Sequence, residues 1–269
     1  MSTILAALDT SAAARPVLET AVGMSQLTGA GVEAVHVLDG SAETPEALAA
    51  RAGVALRSLS GPVATALLGA LAAHGVIAAV IGARAVPGGR RPVGRTAAQV
   101  LLHAHKPVVV VPPEAVRWPA RPIRRVVVPL EGTPPSSQAV SEVLRPLLTG
   151  DVELVVVHVF TPDTLPRALD HPTRDLQLLG DEFLARHLPG AADITFRSGP
   201  IGPRIAEVCA EEHADLVVLS WHPDSSADRA AVVREVLSRS MVPVLLLPIV
   251  ASGVVDIRTE QTATGFTLV

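Results

Sequence analysis

The sequence predicts an α/β fold made of two tandem, doubly wound, parallel five-stranded sheets of the Rossmann-like type. Short runs rich in Val, Ile and Leu alternate with helical patterns, and uninterrupted apolar runs are typical of parallel strands covered by helices on both faces. Landmarks of the first half also recur in the second half in the same order. Hydrophobic residues make up 49% of the 269 residues and aromatic residues only 2%, which indicates aliphatic cores.

The internal repeat rests on four pairs of landmarks. Two pairs are separated by 122 residues (131 − 9 and 158 − 36), and the other two by 138 and 136 residues (199 − 61 and 243 − 107). The second half is therefore expected to be longer between its second strand and its Gly-Pro step. The pairs are Asp9 with Glu131, His36 with His158, the Ser-Gly-Pro steps at 60–62 and 198–200, and the apolar segments at 107–112 and 243–248.

The alternation places five strands in each half. We expect a first domain at 1–115, a proline-containing linker at 116–122, a second domain at 123–250 and a tail at 251–269. The tail is either disordered or adds an edge strand at 266–269, and the sequence leaves both open. The predicted strands are 3–8, 32–38, 54–59, 77–82 and 108–111, then 125–130, 152–159, 193–197, 215–220 and 243–247.

Composition excludes several classes of function. The net charge is −4 and Lys106 is the only lysine, so no basic stripe for nucleic acid is expected. The longest apolar stretch, Met241–Ala251, contains two prolines and is too short to span a bilayer, and no signal peptide is evident at the N-terminus. Cys209 is the single cysteine, which excludes an internal disulfide. We therefore expect a cytoplasmic protein that contacts neither membrane nor nucleic acid.

One glycine-rich loop distinguishes the two halves. It follows the fourth strand, at 82–96, whereas the matching stretch at 220–231 has no glycine. Glycine lets backbone N–H groups surround a phosphate, so the sequence predicts one anionic ligand rather than two. The loop contains Gly82, Gly88, Gly89 and Gly94, together with Arg84, Arg90, Arg91 and Arg95.

Ligands of open α/β sheets bind beyond the carboxyl ends of the strands. Asp9 and Thr10 lie at the end of the first strand, and Val37 lies near the end of the second. If the first and fourth strands are adjacent, these residues converge with the glycine-rich loop on one crevice. Gly94 would open the last helix, whose N-terminal N–H groups attract anions, and the Thr96 hydroxyl would donate to a phosphate or face its metal.

Several motifs resemble those of the universal stress protein family in its tandem-domain form. Gly82 and Gly94 match the first and last glycines of the pattern Gly, two residues, Gly, nine residues, Gly-Ser or Gly-Thr. The Asp-Gly-Ser step of the family is similar to 9–11 and 131–133, and its Gly-x-Pro…His-Gly-Ala-Asp-Leu-Ile-Val-Met-Gly run is similar to 61–82 and, without the last glycine, to 199–220. The resemblance covers about residues 3–112 and 124–248.

The resemblance implies an adenine-nucleotide site, with ATP bound with or without magnesium. By analogy, Asp9 contacts the adenosine and Val37 holds adenine through its backbone. Ala85 replaces the second glycine, the following spacer is one residue short, and Arg95 stands where Ser or Thr is usual. The cofactor-binding residues are expected to be Asp9, Thr10, Val37, Gly82, Arg84, Gly88, Gly89, Gly94, Arg95 and Thr96.

The second half is expected to be structural. Asp224 and Asp228 stand where the glycine-rich loop would be, and their carboxylates would repel phosphate. His36 and His158 are expected to be packed structural histidines, and Cys209 a core residue. No nucleophile, catalytic base or metal-binding pair stands out, so no catalytic residue is named and an enzyme is not expected.

Three functions remain open. The first is a nucleotide-sensing regulatory protein of the stress response, in which ATP orders the loop at 82–96 and alters a partner surface. The second is a ligand-free scaffold. The strands that end at Pro112 and Pro248 resemble the strand through which the family dimerises, so the two halves would pair within one chain, and a homodimer would form through the same strands. The third is a slow ATPase.

Overall fold

The computed structural model describes residues 2–38, 45–84, 93–115, 122–144, 151–165, 172–221 and 227–249. Ten strands and eight helices alternate within these residues. The strands are β1 (Thr3–Ala7), β2 (Gly31–Val37), β3 (Ala55–Leu59), β4 (Val76–Gly82), β5 (Val108–Val111), β6 (Arg125–Pro129), β7 (Glu153–Phe160), β8 (Ile194–Ser198), β9 (Leu216–Trp221) and β10 (Val244–Pro248). The helices are α1 (Ala14–Thr28), α2 (Glu46–Arg51), α3 (Val63–Ala72), α4 (Arg95–His103), α5 (Pro134–Leu144), α6 (Pro172–His187), α7 (Ile201–Glu211) and α8 (Ala227–Arg239).

The strands lie where the apolar runs predict them, with each end within one residue of the expectation. The central strands are buried along nearly their whole length, because helices pack on both faces of the sheet. Helix α7 has the expected amphipathic pattern, since Ile205, Val208 and Cys209 are buried while Arg204 and Glu207 form an exposed ion pair. Burial raises the pKa of the Cys209 thiol to about 12, which fits an unreactive core residue.

The two predicted sheets are joined edge to edge into one sheet of ten strands. Its order is β3-β2-β1-β4-β5-β10-β9-β6-β7-β8, so each half has the doubly wound order 3-2-1-4-5. Within a half all pairs are parallel, and the halves meet through the antiparallel pair of β5 and β10, with Val110 opposite Val244. The predicted pairing of the two copies within one chain is confirmed.

This pairing changes the expectation of a homodimer. Strand β5 has β4 and β10 as neighbours, and β10 has β5 and β9, so neither strand has an edge left for a second chain. The edge strands of the sheet are β3 and β8. The sequence predicts a homodimer through the last strands, but β5 and β10 are already paired on both sides within the chain. A homodimer would therefore need another surface.

The extra length of the second half lies where the landmark offsets predict it. Helix α6 has 16 residues, whereas its counterpart α2 has six. Residues 116–121 of the predicted linker at 116–122 and the whole predicted tail at 251–269 lie outside the described residues, so the domain boundaries stay predictions. None of the described helices is long and apolar enough to cross a bilayer.

A side-chain contact also connects the two halves. The indole Nε1 of Trp221, at the end of β9, donates a hydrogen bond of 3.2 Å to the carbonyl of Leu101 in α4. Helix α4 belongs to the first half, and its opposite end begins beside the glycine-rich loop. The second half therefore contacts the helix on which the predicted anion site depends.

Candidate functional site

A cavity of about 380 Å³ lies in the first half, at the carboxyl ends of β1, β2 and β4. Strand β1 pairs with both β2 and β4, so the chain reverses its winding direction at this point. The expected convergence of strand ends and loop on one crevice is therefore observed. Of the predicted residues, those that line the cavity are Asp9, Val37, Gly82, Arg84, Gly94, Arg95 and Thr96.

Three predicted residues do not contribute to the described cavity wall. Thr10 is exposed in the turn after β1 and does not line the cavity. Gly88 and Gly89 lie outside the described residues, as do Arg90 and Arg91.

The turn after β1 explains the different positions of Asp9 and Thr10. One carboxylate oxygen of Asp9 accepts hydrogen bonds from the backbone N–H of Ser11 at 3.0 Å and from its hydroxyl at 2.6 Å. This is the local hydrogen bonding by which Asp favours turns. The turn holds Asp9 on the cavity wall and leaves Thr10 at the outer surface.

His36 fixes the end of β1 from the neighbouring strand. It is 4% exposed, and its Nδ1 lies 2.9 Å from the carbonyl oxygen of Leu8. Because a carbonyl can only accept, Nδ1 carries the proton in this hydrogen bond. His158 makes the equivalent contact with Leu130 at 2.8 Å in the second half. Both histidines are structural, as predicted, although each also lines the cavity of its own half.

The beginning of α4 forms the cationic wall of the cavity. Gly94 is the N-cap, its N–H donates to the carbonyl of Ala83 at 2.7 Å, and its carbonyl accepts from Ala98 at 2.9 Å. The N–H groups of the first turn have no partner within the helix and carry the positive end of its dipole. Arg95 and Thr96 stand in this turn and line the cavity.

The described glycines of the loop are needed for a different reason from the one expected. Gly94 has φ −70°, which any residue adopts, and Gly82 is also not among the glycines with positive φ. A Cβ at Gly82 would lie 3.2 Å from the Cβ of Ala13, so glycine allows α1 to approach β4 closely. Gly82 thus allows close packing, and the absence of a side chain at Gly94 leaves the first-turn N–H groups accessible. Neither glycine is needed for an unusual backbone conformation.

Arg84 has an acidic partner that the sequence analysis missed. Its guanidinium donates to Glu114 at 2.6 Å, and the side chains of Arg84 and Glu114 are 13% and 19% exposed. Arg84 follows β4 and Glu114 follows β5, and these strands pair directly. The sequence does show two opposite charges, each just after a strand. Recognising them as partners, however, requires knowing that the two strands are adjacent. Arg84 is thus held at the cavity by a carboxylate that competes with a phosphate for it.

The second half contains a larger cavity at the equivalent place. It measures about 470 Å³ and lies at the carboxyl ends of β6, β7 and β9. Glu131 and Ser220 line it at the positions that correspond to Asp9 and Gly82. No described residue of its wall is Lys or Arg. The expectation of a purely structural half did not include this cavity.

A polar network that runs from the half-buried Ser220 through the buried Ser136 to the exposed Glu131 was also missed. Ser220 donates to Ser136 at 3.0 Å, and Ser136 donates to Glu131 at 3.1 Å. Next to it, the Ser137 hydroxyl lies 2.8 Å from Nδ1 of His187, which is 7% exposed. Burial, with smaller contributions from Arg186 and His158, lowers the pKa of His187. The Ser-Ser pair at the start of α5 was a local signal, but its partners come from distant elements.

The two aspartates that were expected to repel phosphate in the second half cannot be placed at this cavity. Asp224 lies outside the described residues, and the side chain of Asp228 is not described.

Comparisons with known proteins agree with the family resemblance seen in the sequence. Residues 122–248 match the model described as "Universal stress protein family". No curated protein matches the chain. Among solved structures, a putative universal stress protein from Pseudomonas aeruginosa UCBPP-PA14 is 14% identical with a TM-score of 0.64, covering 92% of this chain and 93% of its own. A universal stress protein from Archaeoglobus fulgidus is 18% identical with a TM-score of 0.63, covering 93% and 97%.

A functionally unknown protein from Pseudomonas aeruginosa PAO1 is similar over the same extent, with 13% identity, a TM-score of 0.66 and 93% of each chain covered. At these identities the likeness concerns the fold, and it extends over both halves. Residues 122–248 therefore match the universal stress protein family, and the chain as a whole has the tandem form of that fold.

Proposed function

We propose that the chain is a regulatory protein that binds an adenine nucleotide, ATP, in the cavity of its first half. One observation carries this proposal. Of two cavities at equivalent places, the first has Arg84, Arg95 and the beginning of α4 in its wall, and the described wall of the second has no cationic side chain. A polyphosphate therefore has charge partners in the first cavity that the second does not offer.

The phosphate end of the ligand would lie at the beginning of α4. Arg95 and Thr96 are both exposed there, and the first-turn N–H groups favour an anion. A hydrogen bond between charged groups is stronger than one between neutral groups, so Arg95 would be an important phosphate contact. Arg84 would contribute after exchanging Glu114 for a phosphate oxygen.

The adenosine end would lie between Asp9 and Val37. The N–H of Leu8, at the end of β1, bonds to the carbonyl of Val35, and the N–H of Leu38 bonds to Leu59 on β3. Because peptide groups alternate between the two sides of a strand, those of Val37 point toward β1, just past its last bonded residue. From there they would read the edge of a base. The Asp9 carboxylate would accept a ribose hydroxyl.

Regulation by the ligand is part of the same proposal. Bound ATP, with or without magnesium, would order the loop at 82–96 and change the surface presented to a partner, in a cytoplasmic stress response. Hydrolysis is not part of the proposal. The ligand-free scaffold is the second candidate, and the pairing of β5 with β10, which joins the two halves as a dimer interface would, is the observation that favours it.

Calorimetric titration of the full chain with ATP tests the proposal. Gly94→Trp should abolish binding, because an indole at the N-cap would cover the first-turn N–H groups. The variant should fold, since φ at Gly94 is ordinary and, among the described residues, a Cβ there would meet only the Ala83 carbonyl within 4 Å, at 3.4 Å.

The matched variant in the second cavity is Ser220→Trp, and it should leave ATP binding intact. Far-ultraviolet circular dichroism and thermal melting of both variants check that each is folded. Equal losses in two folded variants, or no ATP binding by the natural chain, would contradict the proposal.

A further inference from the structure

We propose that the cavity of the second half is a binding site for an uncharged, mainly apolar small molecule that carries a hydroxyl or amine hydrogen-bond donor. This ligand class differs from the nucleotide proposed for the first half, and the proposal stands independently of it. It rests on the size of the cavity, the chemistry of its walls and the direction of the hydrogen bonds at its polar end.

The size of the cavity fits a small ligand. Its volume of about 470 Å³ exceeds that of the first cavity, and small-molecule sites commonly fall between about 300 and 1,000 Å³. Because most of its lining is apolar, an occupant with apolar surface that displaced water from it would be favoured.

The walls are aliphatic on several sides. Leu130 and Val157 come from the ends of β6 and β7, Ile201 and Ile205 from α7, and Val232 from α8. Contact with such surfaces is worth about 25 cal/mol for each Å² of apolar area that a ligand removes from water. The cavity therefore favours a ligand with a hydrocarbon or aromatic body.

The polar end of the cavity accepts hydrogen bonds and disfavours anions. Glu131 is the charged side chain of the described wall. The hydrogen of Ser220 is directed to Ser136, and that of Ser136 to Glu131, so the Ser220 oxygen presents lone pairs to the cavity. A ligand donor is recognised here, whereas a phosphate or carboxylate would meet Glu131 without a described cation to offset it.

Trp221 makes occupancy of this cavity measurable. It lines the wall, and the chain contains one other tryptophan, Trp118, and no tyrosine. In a Trp118→Phe background, tryptophan emission therefore comes from Trp221 alone. A ligand against the indole would change its emission or take up its excitation energy.

The experiment titrates this single-tryptophan full-length chain with N-phenyl-1-naphthylamine, a neutral aromatic probe with one N–H donor. We expect saturable quenching of Trp221 with one probe per chain, together with a rise in probe emission. The matched anionic probe, 8-anilinonaphthalene-1-sulfonate, has the same rings with a sulfonate and should bind at least about tenfold more weakly. ATP should not displace the neutral probe.

A matched pair of variants tests which of the two cavities binds the probe. Ile201 and Val63 are the first residues of the equivalent helices α7 and α3, and each lines the cavity of its own half. Ile201→Phe fills part of the second cavity and should weaken the probe at least tenfold, whereas Val63→Phe should not. Val232→Phe narrows the cavity from α8 and replaces Ile201→Phe if that variant does not fold.

Four results would each overturn the proposal. They are the absence of saturable quenching, equal affinity for the sulfonate probe, equal weakening by the two phenylalanine variants, and displacement of the probe by ATP. The last result would mean that both ligands share one site.

Discussion

The two halves of the chain have the same strand order and the same strand-end histidine contact, yet their cavities differ in chemistry. The first has arginines and an open helix beginning, and the second has aliphatic walls, a glutamate and a serine network. The duplicated framework thus fixes where each cavity lies, and a small number of side chains decides which ligand it suits.

The largest effect is expected from reversing one charge in the first cavity. Arg95→Glu replaces a cation at the beginning of α4 with an anion that repels phosphate and occupies the first-turn N–H groups. ATP affinity, measured by calorimetry, should fall by about 100-fold. Arg51→Glu, at the exposed end of α2, makes the same change away from the cavity and should alter affinity less than twofold. Comparable losses in the two variants would mean that long-range charge, not the site, controls binding.

The second prediction concerns the equivalent helices α3 and α7. An alanine methyl at Gly202 in α7 would overlap the Cβ of Glu235 in α8, whereas one at Gly69 in α3 would meet nothing within 4 Å. Gly202→Ala should therefore lower the free energy of unfolding by about 2 kcal/mol. Gly69→Ala should raise it by about 0.5–1 kcal/mol through helix propensity. Denaturant unfolding measures both, and changes of the same sign would contradict the packing described.

The third prediction separates the two roles of Arg84. Because Arg84 and Glu114 form a largely buried ion pair, Arg84→Gln and Glu114→Gln should each lower the free energy of unfolding by about 1–2 kcal/mol. Their effects on ATP affinity should be opposite. Arg84→Gln should weaken ATP about tenfold, and Glu114→Gln should strengthen it about threefold, because the Glu114 carboxylate no longer competes with the phosphate for Arg84. If both variants weaken ATP, the pair is a structural unit and not a contact that ATP displaces.

The smallest effect is a pH dependence confined to the second half. His187 has a lowered pKa in the folded chain, so the unfolded chain takes up a proton first as the pH falls. The free energy of unfolding should therefore decrease as the pH is lowered through the ordinary histidine pKa of about 6.5, and the effect should be complete below the folded value. In His187→Asn this component should be absent. Equal pH dependence of natural and variant chains, measured by urea unfolding, would assign it to other groups.

Sequence reasoning located the strands and the first cavity well, for an identifiable physical reason. The apolar runs of parallel strands can be recognised directly in the sequence. Because the carboxyl ends of such strands share one edge of the sheet, the sequence alone predicts that Asp9, Val37 and Arg95 lie close together. The extra helix length in α6 followed from landmark offsets alone.

What the sequence could not give depends on neighbours that only folding supplies. Glu114 meets Arg84 because β5 lies beside β4, and Ser220 meets Ser136 across 84 positions in the chain. Whether the second half contains a cavity depends on side-chain packing that no local sequence pattern encodes. The same holds for Gly94, whose ordinary φ shows that a glycine-rich stretch does not by itself imply an unusual backbone.

A crystal structure of the full-length chain grown with ATP would show which cavity holds the nucleotide. We expect nucleotide density in the first cavity alone, with phosphates at the beginning of α4 within hydrogen-bonding distance of Arg95 and with the base beside Val37. Nucleotide in the cavity lined by Glu131 and Trp221, or an empty first cavity at saturating ATP, would contradict it.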